Sequence, residues 1–300
     1  MHLFDTHFHY SGEASPGEYM NRLLTDALAA GVFPETLELN AVGGDFVESL
    51  RAREFAHTVK DCVFSVGVHP GSVSRFTEKL SDFETFRNDP LLVAVGELGL
   101  DYFYASETAA EQRTVFAEFL QLALEWQKPA IVHLRDQGDD AAFTDGMALL
   151  QDFVSAGGRF EVHCFTGDWK WGEKIIELGG YIGVTGMVTF KRAENIREIA
   201  KLVPSDRLLL FGPDSCCATF PGEDAGNGRH PGAAGFRPLC RSARRGKPVL
   251  PQAEACRPGP GRGLSPVHRP AAHGAGPRGS PGFPASPPDN RPENSRRLPG

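Results

Sequence analysis

Short apolar runs of strand length alternate with longer amphipathic segments along the first two thirds of the chain. The amphipathic segments predict helices over 108–127 and, in outline, over 18–30, 45–60, 139–156, 169–178 and 194–202. A seventh helix is expected within EKLSDFETFRN, residues 78–88. The apolar runs predict eight strands: HLFDTHFH, TLELNAV, VFSVGVHP, LVAVGELGLDY, AIVHLRD, FEVHCFTG, YIGVTGMVTF and RLLLF.

Strict alternation of strand and helix predicts an α/β fold in which a parallel sheet closes into a (β/α)8 TIM-type barrel. A doubly wound open sheet is the alternative, but it usually has fewer strands and a glycine-rich phosphate turn. The stretch GELGLD lacks the spacing of a dinucleotide fingerprint. A complete barrel also needs an eighth helix after Phe211, and the helical pattern stops there.

Composition changes abruptly at the same place. Residues 1–210 hold 18 basic and 32 acidic residues, a balance of −14, whereas residues 211–300 hold 13 and 6, a balance of +7. The second stretch carries 17 of the 23 prolines and 15 of the 34 glycines, and it has no Ile, Met, Tyr or Trp. We therefore expect a barrel domain over 1–211 and a disordered Pro/Gly/Arg-rich tail over 212–300, in place of the final helix.

One hypothesis explains why so many features of the tail begin together. A reading-frame error in a GC-rich gene would produce the bias of Arg over Lys, the missing residue types and the scattered cysteines in one step. The alternative is a genuine basic appendage. No apolar run approaches the length of a membrane span, and no cysteines form a C-x-x-C pair, so a cytoplasmic location with free thiols is expected.

Polar side chains occur near the ends of several predicted strands. His7 and His9 are two residues apart, so they share one face of strand one. Glu97 follows LLVAVG, His133 ends PAIVH and His163 ends FEVH. Barrel enzymes keep their chemistry at the carboxyl ends of their strands, and we expect these five groups to meet there.

Four imidazoles and a carboxylate exceed the needs of one tetrahedral metal site. They suit two adjacent divalent cations with Glu97 between them, an arrangement that can clamp the attacking and leaving oxygens of a phosphoryl displacement. The mixed ligand set accommodates Zn, Mn or, less comfortably, Mg.

Residues 1–211 resemble the TatD family of metal-dependent deoxyribonucleases, which belong to the amidohydrolase-type barrels. The matching motifs, in the family's order and spacing, are FDTHFH, VGVHPG, VGELGLDY, PAIVHLRD, VHCFTG and DRLLL. The resemblance implies hydrolysis of DNA phosphodiester bonds by a metal-activated water. A balance of −14 is unlike that of a protein that holds duplex DNA, so single strands or strand ends are the expected substrate.

The resemblance also implies roles for individual residues. His7 and His9 would bind one metal with Glu97, and Glu97 would bridge to a second metal held by His133 and His163. His69 matches a family histidine near the site, although Gly71 stands where a second histidine is common.

Arg135 matches a family arginine that could meet a substrate phosphate. The alternative for Arg135 is a salt bridge at the barrel rim with Asp136 or Asp101.

The chain departs from the family pattern after strand eight. The family follows DRLLL with Glu-Thr-Asp, whose aspartate ligates a metal and helps to activate water. Here DRLLL is followed by Phe211, Gly212, Pro213 and Asp214, so that Pro213 takes the place of the aspartate. Asp214 can serve as catalytic residue and metal ligand only if the turn bulges, because a shift of one residue reverses the face of a side chain.

Two other functions stay open at this point. Related barrels use similar ligands to hydrolyse small-molecule amides or amines. Alternatively the chain is an inactive product, because the strand-eight motif is broken and the final helix is missing; exposing an apolar stripe of the barrel wall could unfold a domain of marginal stability.

Overall fold

A computed structural model describes residues 2–29 and 31–211, and within them eight parallel strands follow one another in chain order around a single sheet. The strands are β1 (His2–Phe8), β2 (Thr36–Val42), β3 (Cys62–Val66), β4 (Leu92–Asp101), β5 (Ala130–Arg135), β6 (Phe160–Val162), β7 (Tyr181–Val184) and β8 (Leu208–Leu210). β8 comes into contact with β1, which brings the two edges of the sheet together. The predicted TIM-type barrel is confirmed.

Six α-helices connect the strands in the described part of the chain. They are α1 (Pro16–Ala29), α2 (Phe46–Thr58), α3 (Ala109–Trp126), α4 (Ala141–Ser155), α5 (Trp169–Glu177) and α6 (Glu194–Leu202). The predicted tail over 212–300, its disorder and Asp214 lie outside the described residues. None of the helices in the described ranges has the length and apolar character needed to cross a bilayer.

The seventh predicted helix, within 78–88, is present over Leu80–Phe86 as a 3₁₀ helix. The same connection holds a second 3₁₀ helix, Pro70–Arg75. Phe83 and Phe86 are fully buried and three residues apart, and this spacing matches the three residues per turn of a 3₁₀ helix.

The predicted seventh strand, over 181–190, was too long. β7 ends at Val184, and a 3₁₀ helix follows over Gly186–Thr189. Thr185 stops the strand because its side chain accepts a hydrogen bond from the backbone N–H of Met187, which begins the 3₁₀ helix.

Gly99 shows why glycine recurs in the fourth strand. Its φ of +143° is a conformation that side-chain-bearing residues rarely adopt, and a Cβ there would lie 2.0 Å from the carbonyl oxygen of His133. The absence of a side chain therefore allows β4 and β5 to approach each other beside two predicted site residues.

The hydrophobic core has an outer and an inner part. Between the strands and the helices, Phe55 of α2 is fully buried against Phe8 and Tyr10, at ring-centroid distances of 5.1 and 4.7 Å. Inside the barrel a small separate cluster is formed by Val42, Ala94 and Ile131. Ile131 of this cluster lies two residues before His133, on the same face of β5.

β8 is the last secondary-structure element of the described residues, and several apolar side chains around the end of the barrel are exposed. Leu210 of β8 is 47% exposed, Leu202 of α6 is 52% exposed, and α1 buries none of its residues.

The prediction of free thiols is confirmed for one described cysteine and wrong for the other. Cys62 is a free, buried thiol, and burial raises its pKa to about 12, so it stays protonated at neutral pH. Cys164 is disulfide-bonded, so the prediction is wrong for that residue.

We predict that Phe55→Ala lowers the free energy of unfolding by about 3–5 kcal/mol, because it removes a fully buried ring and leaves a cavity. Phe33→Ala is the control, since Phe33 is 70% exposed and its loss should change stability by less than about 0.5 kcal/mol. Urea denaturation followed by circular dichroism measures both. Similar losses for the two variants would contradict the assignment of the core.

Candidate metal centre

A buried carboxylate stands at the centre of the site. Glu97 lies on β4 and is 1% exposed. Its Oε2 is 3.4 Å from Nε2 of His7 and 3.2 Å from Nε2 of His9. Its Oε1 is 3.1 Å from Nδ1 of His133 and 2.7 Å from Nε2 of His163. The structure therefore brings together all five groups that the strand ends predicted.

The barrel delivers these side chains in the way that parallel strands require. His7 lies in β1 and His9 directly follows it, and their Nε2 atoms are 3.1 Å apart, as expected for side chains on one face. His133 lies in β5. His163 follows β6, and its backbone N–H donates a hydrogen bond to the carbonyl of Val132.

His7 and His163 form a stacked pair at the bottom of the site. Their rings are parallel within 6° and their centroids are 3.9 Å apart. Burial lowers the pKa of both imidazoles, so both favour the neutral form, which is the form that ligates metals. In each ring Nδ1 is buried without a hydrogen-bond partner among the described residues, and Nε2 faces Glu97.

His9 is fixed by a backbone carbonyl. Its Nδ1 lies 3.1 Å from the carbonyl oxygen of Val42, which can only accept, so Nδ1 carries a proton and donates it. Nε2 is then the nitrogen directed at Glu97. This is the arrangement of metal-binding histidines, whose second nitrogen is held by an acceptor.

His133 is fixed by a second carboxylate. Its Nε2 lies 3.0 Å from Oδ2 of Asp101, and its Nδ1 faces Glu97. Burial opposes a charge on this ring, but the hydrogen bonds to Asp101 and Glu97 outweigh burial and raise the pKa of His133 to about 9. Without a cation, His133 is therefore an imidazolium between two carboxylates.

Sequence reasoning missed the role of Asp101, which it considered only as a salt-bridge partner for Arg135. Asp101 is fully buried at the end of β4, and its Oδ1 accepts hydrogen bonds from the backbone N–H groups of Phe103 and Tyr104. The signal was present in the sequence: Asp101 is four residues after Glu97, so it faces the same side of the strand.

His69 differs from His9 in the tautomer that its surroundings select. Its Nδ1 accepts a hydrogen bond from the backbone N–H of Gly71 at 3.0 Å, so the neutral ring carries its proton on Nε2. That nitrogen is 3.8 Å from Oε1 of Glu97. Burial lowers the pKa of His69 to about 3, and the ring is a neutral donor at the edge of the site.

The ligand atoms are close enough to bind cations. Two groups of three lie within 4.8 Å of one another: His7, Glu97 and His163, and His69, Glu97 and His133. They share Glu97, in agreement with a bridging carboxylate. The sequence prediction paired His7 with His9 and His133 with His163, whereas these groups pair His7 with His163 and His69 with His133. Imidazole nitrogens crowded around a buried carboxylate are a donor set that a divalent cation satisfies, so the residues present fit the predicted group.

Arg135 makes neither of the rim salt bridges that the sequence suggested as an alternative. Among the described residues no ion pair joins its guanidinium to Asp101 or Asp136. Its Cζ instead lies 4.6 Å from the ring centroids of both Phe103 and Tyr104.

The residue that follows β8 contributes a phenyl ring to the site. Phe211 packs its ring against His7 and His163, at centroid distances of 5.7 and 5.9 Å. Gly183 of the neighbouring strand leaves room for it, because a Cβ at that position would lie 1.9 Å from the ring. An apolar side chain thus occupies the position at which the family pattern has a glutamate.

Glu161 is a second buried acid that sequence reasoning missed. It lies on β6, two residues before His163, and pairs in register with Ile131 of the inner cluster. Neither of its carboxyl oxygens has a hydrogen-bond partner among the described residues. Burial, and then the charge of Glu97, raise the pKa of Glu161 to about 8.

Comparison with known proteins identifies a family over most of the described chain. Residues 4–210 match the model of the family described as TatD related DNase. The uncharacterised metal-dependent hydrolase YcfH of Escherichia coli K12 is 35% identical over 223 residues, which cover 74% of this chain and 80% of that protein. The 3'-5' ssDNA/RNA exonuclease TatD of Citrobacter koseri is 33% identical over 190 residues, covering 63% of this chain and 70% of that protein.

Solved structures with the same fold include the TatD homologue YJJV of Escherichia coli K12. It superposes with a TM-score of 0.58 at 25% identity, covering 70% of this chain and 78% of that one. A TatD family hydrolase of Entamoeba histolytica gives a TM-score of 0.55 at 21% identity, with 71% and 74% covered, and this likeness supports the fold.

We predict that Glu161→Gln stabilises the metal-free protein at pH 8 more than at pH 5. The native state keeps the carboxyl protonated up to about pH 8, whereas the unfolded chain releases the proton near pH 4.5, so wild-type stability falls as the pH rises between these values. The fall is at most about 1.4 kcal/mol for each pH unit, and glutamine abolishes it.

Urea denaturation in EDTA at several pH values measures this difference. Glu177→Gln, at the exposed end of α5, is the matched control and should keep the wild-type pH dependence. If Glu161→Gln showed the same slope as wild type, the buried carboxyl would not be protonated in the fold.

Proposed function

Because the chain belongs to the TatD family of metal-dependent hydrolases, we propose that it hydrolyses phosphodiester bonds of DNA with two divalent cations held around Glu97. The observation that carries this proposal is that the two oxygens of the Glu97 carboxylate contact different histidines. Oε2 lies near His7 and His9. Oε1 lies near His133 and His163. A bridging carboxylate of this kind suits a pair of cations.

In the proposed site Glu97 would be the shared ligand. His7 and His9 would hold one cation with it, and His133 and His163 would hold the other. Zn or Mn suits a site so rich in imidazole, and Mg suits it less well. Divalent cations bound there would supply Lewis-acid stabilisation of the phosphate and activation of water.

The chain's own residues perform the remaining tasks. His69 holds a proton on Nε2 at the edge of the site, where it can donate a hydrogen bond to a phosphate oxygen. Asp101 orients His133 through Nε2, and Val42 orients His9 through its carbonyl. Burial of the site keeps water away from the carboxylate and strengthens each of these interactions.

We propose single-stranded DNA or strand ends as the substrate. Curated relatives are named as 3'-5' ssDNA/RNA exonucleases. The balance of −14 over residues 1–210 supports a short strand, because a duplex is held chiefly by neutralising many phosphates. Arg135 is the basic side chain that we assign to the substrate.

The domain organisation that we propose is a hydrolase barrel over 1–211 and a separate tail over 212–300. The family match ends at residue 210, where the composition also changes. We propose the cytoplasm as the compartment on the strength of the free thiol of Cys62. The disulfide at Cys164 argues against it, since disulfides are rare in reducing compartments.

An inactive product is the second candidate, and the position of Phe211 favours it. A phenyl ring packs on the two imidazoles at the point where the family has a carboxylate, so strand eight adds apolar cover to the site. Our proposal of activity therefore needs Asp214 to replace the missing aspartate as ligand and catalytic residue.

We predict that His163→Gln lowers the affinity for the divalent cation and the cleavage of a labelled single-stranded oligonucleotide by about 100-fold or more, because the loss of even a hydrogen bond to a metal ligand costs up to about 100-fold. His57→Gln is the matched control: His57 is a half-exposed partner of Asp89, away from the site, and its loss should leave both quantities unchanged. Elemental analysis and gel electrophoresis provide the measurements. Full activity of the wild type in EDTA, or of His163→Gln with Mn²⁺, would refute the proposal.

We predict that restoring the family motif, by combining Phe211→Glu, Gly212→Thr and Pro213→Asp, raises nuclease activity by about 10-fold or more. The new aspartate at position 213 would supply the metal ligand that the family has there. Asp214 comes one residue later, and a shift of one residue reverses the face of a side chain on a strand. Phe211→Leu is the control, since it changes the ring but adds no carboxylate. An unchanged rate in the restored chain would show that Asp214 already fills the role.

A further inference from the structure

Two aromatic rings lie exposed at the mouth of the barrel, beside the candidate metal centre. Phe103 and Tyr104 follow directly after β4, and they are 39% and 37% exposed. Arg135, at the end of β5, is in register with Asp101 and lies two residues beyond His133, on the same face and roughly 7 Å further along the strand. The three side chains therefore stand immediately outside the ring of predicted metal ligands.

The three side chains form one ordered unit. The rings of Phe103 and Tyr104 meet edge to face, with centroids 4.6 Å apart and planes at 79°. The guanidinium carbon of Arg135 lies 4.6 Å from the centroid of each ring, which is a favourable cation–π distance. We call Phe103, Tyr104 and Arg135 the rim platform.

One carboxylate connects the rim platform to the metal centre. Oδ1 of Asp101 accepts the backbone N–H groups of Phe103 and Tyr104 at 3.0 and 2.8 Å. Oδ2 of the same side chain holds His133 at 3.0 Å. The position of the aromatic pair is thus fixed relative to a side chain that faces Glu97.

The chemistry of the rim platform matches what an acidic protein needs in order to hold a nucleic-acid strand. Residues 1–210 carry a balance of −14, so extensive neutralisation of phosphates is not available to them. Stacking of a base on an aromatic ring or on a guanidinium plane does not depend on net charge, and every base offers a flat face. Aromatic rings with an accompanying arginine are the usual elements of such surfaces.

We propose that the rim platform binds a nucleobase of the strand whose phosphodiester bond lies at Glu97. The inference rests on the proposed nuclease function and names the part of the chain that would hold the substrate. Affinity would come from the π-faces, so the site would accept any base and would not bind a strand without bases.

The test compares two single-stranded oligonucleotides of equal length, an oligothymidylate and a strand made of abasic sites. Binding of the fluorescein-labelled strands to the full-length protein is measured by anisotropy in EDTA at low salt. The double variant Phe103→Leu, Tyr104→Leu removes both π-faces and keeps apolar side chains of similar size. Phe33→Leu, an exposed phenylalanine before β2 and so at the opposite end of the barrel, is the control.

We expect the double variant to weaken binding of the oligothymidylate by roughly 10-fold or more and to leave binding of the abasic strand at the wild-type value. Phe33→Leu should change neither. The rim platform is refuted if the double variant binds oligothymidylate as wild type does, if both strands are weakened equally, or if wild type binds neither strand.

A parallel measurement separates this inference from the proposed function. Wild type and the double variant are loaded with Mn²⁺, and both metal content and cleavage of the oligothymidylate are recorded. If the wild type binds oligothymidylate more tightly than the abasic strand but cleaves neither, the nuclease proposal is refuted and the rim platform is supported. Cleavage with unchanged KM in the double variant would overturn the rim platform alone.

Discussion

The structure of the site depends on one constraint, the burial of the Glu97 carboxylate. Burial alone raises the pKa of this acid, but the histidines around it, His163 foremost, hold the pKa well below its ordinary value, so the charge persists inside the protein. A buried charge requires partners at close range. Imidazoles from three strands supply them, and this need explains why these polar side chains meet at the mouth of the barrel.

The barrel meets this constraint through geometry that extends well beyond the site. Parallel strands end at one rim, and Gly99 lets β4 and β5 approach closely enough for Glu97 and Asp101 both to reach His133. Phe55 and its aromatic neighbours hold the helices of the first half against the strands. The second half is less complete, because strand eight is short and its neighbourhood leaves apolar side chains exposed.

The fold and the five central groups could be predicted because they follow from periodicity. Alternating runs give the strands, and a histidine or glutamate at the end of a strand lies at the rim. Asp101 could have been assigned from its spacing of four residues from Glu97 on one strand. Glu161 could not, since the sequence does not separate a buried acid on a strand from a surface charge. The sequence predicted a helix within 78–88 but not its 3₁₀ type over Leu80–Phe86, because apolar residues three apart occur in both kinds of helix. Phe211 marks the departure from the family, but its packing on the imidazoles needed coordinates.

Glu161 and Glu97 connect the chemistry of the mouth to the stability of the barrel. Two buried acids in adjacent parts of one interior repel when both are charged, and this repulsion contributes to the raised pKa of Glu161. Cations bound around Glu97 would reverse the local field and favour the charged form of Glu161. A ligand that binds the native state also stabilises it in proportion to its affinity. Occupation of the site would therefore reduce the cost of the charged form of Glu161 and stabilise the folded barrel.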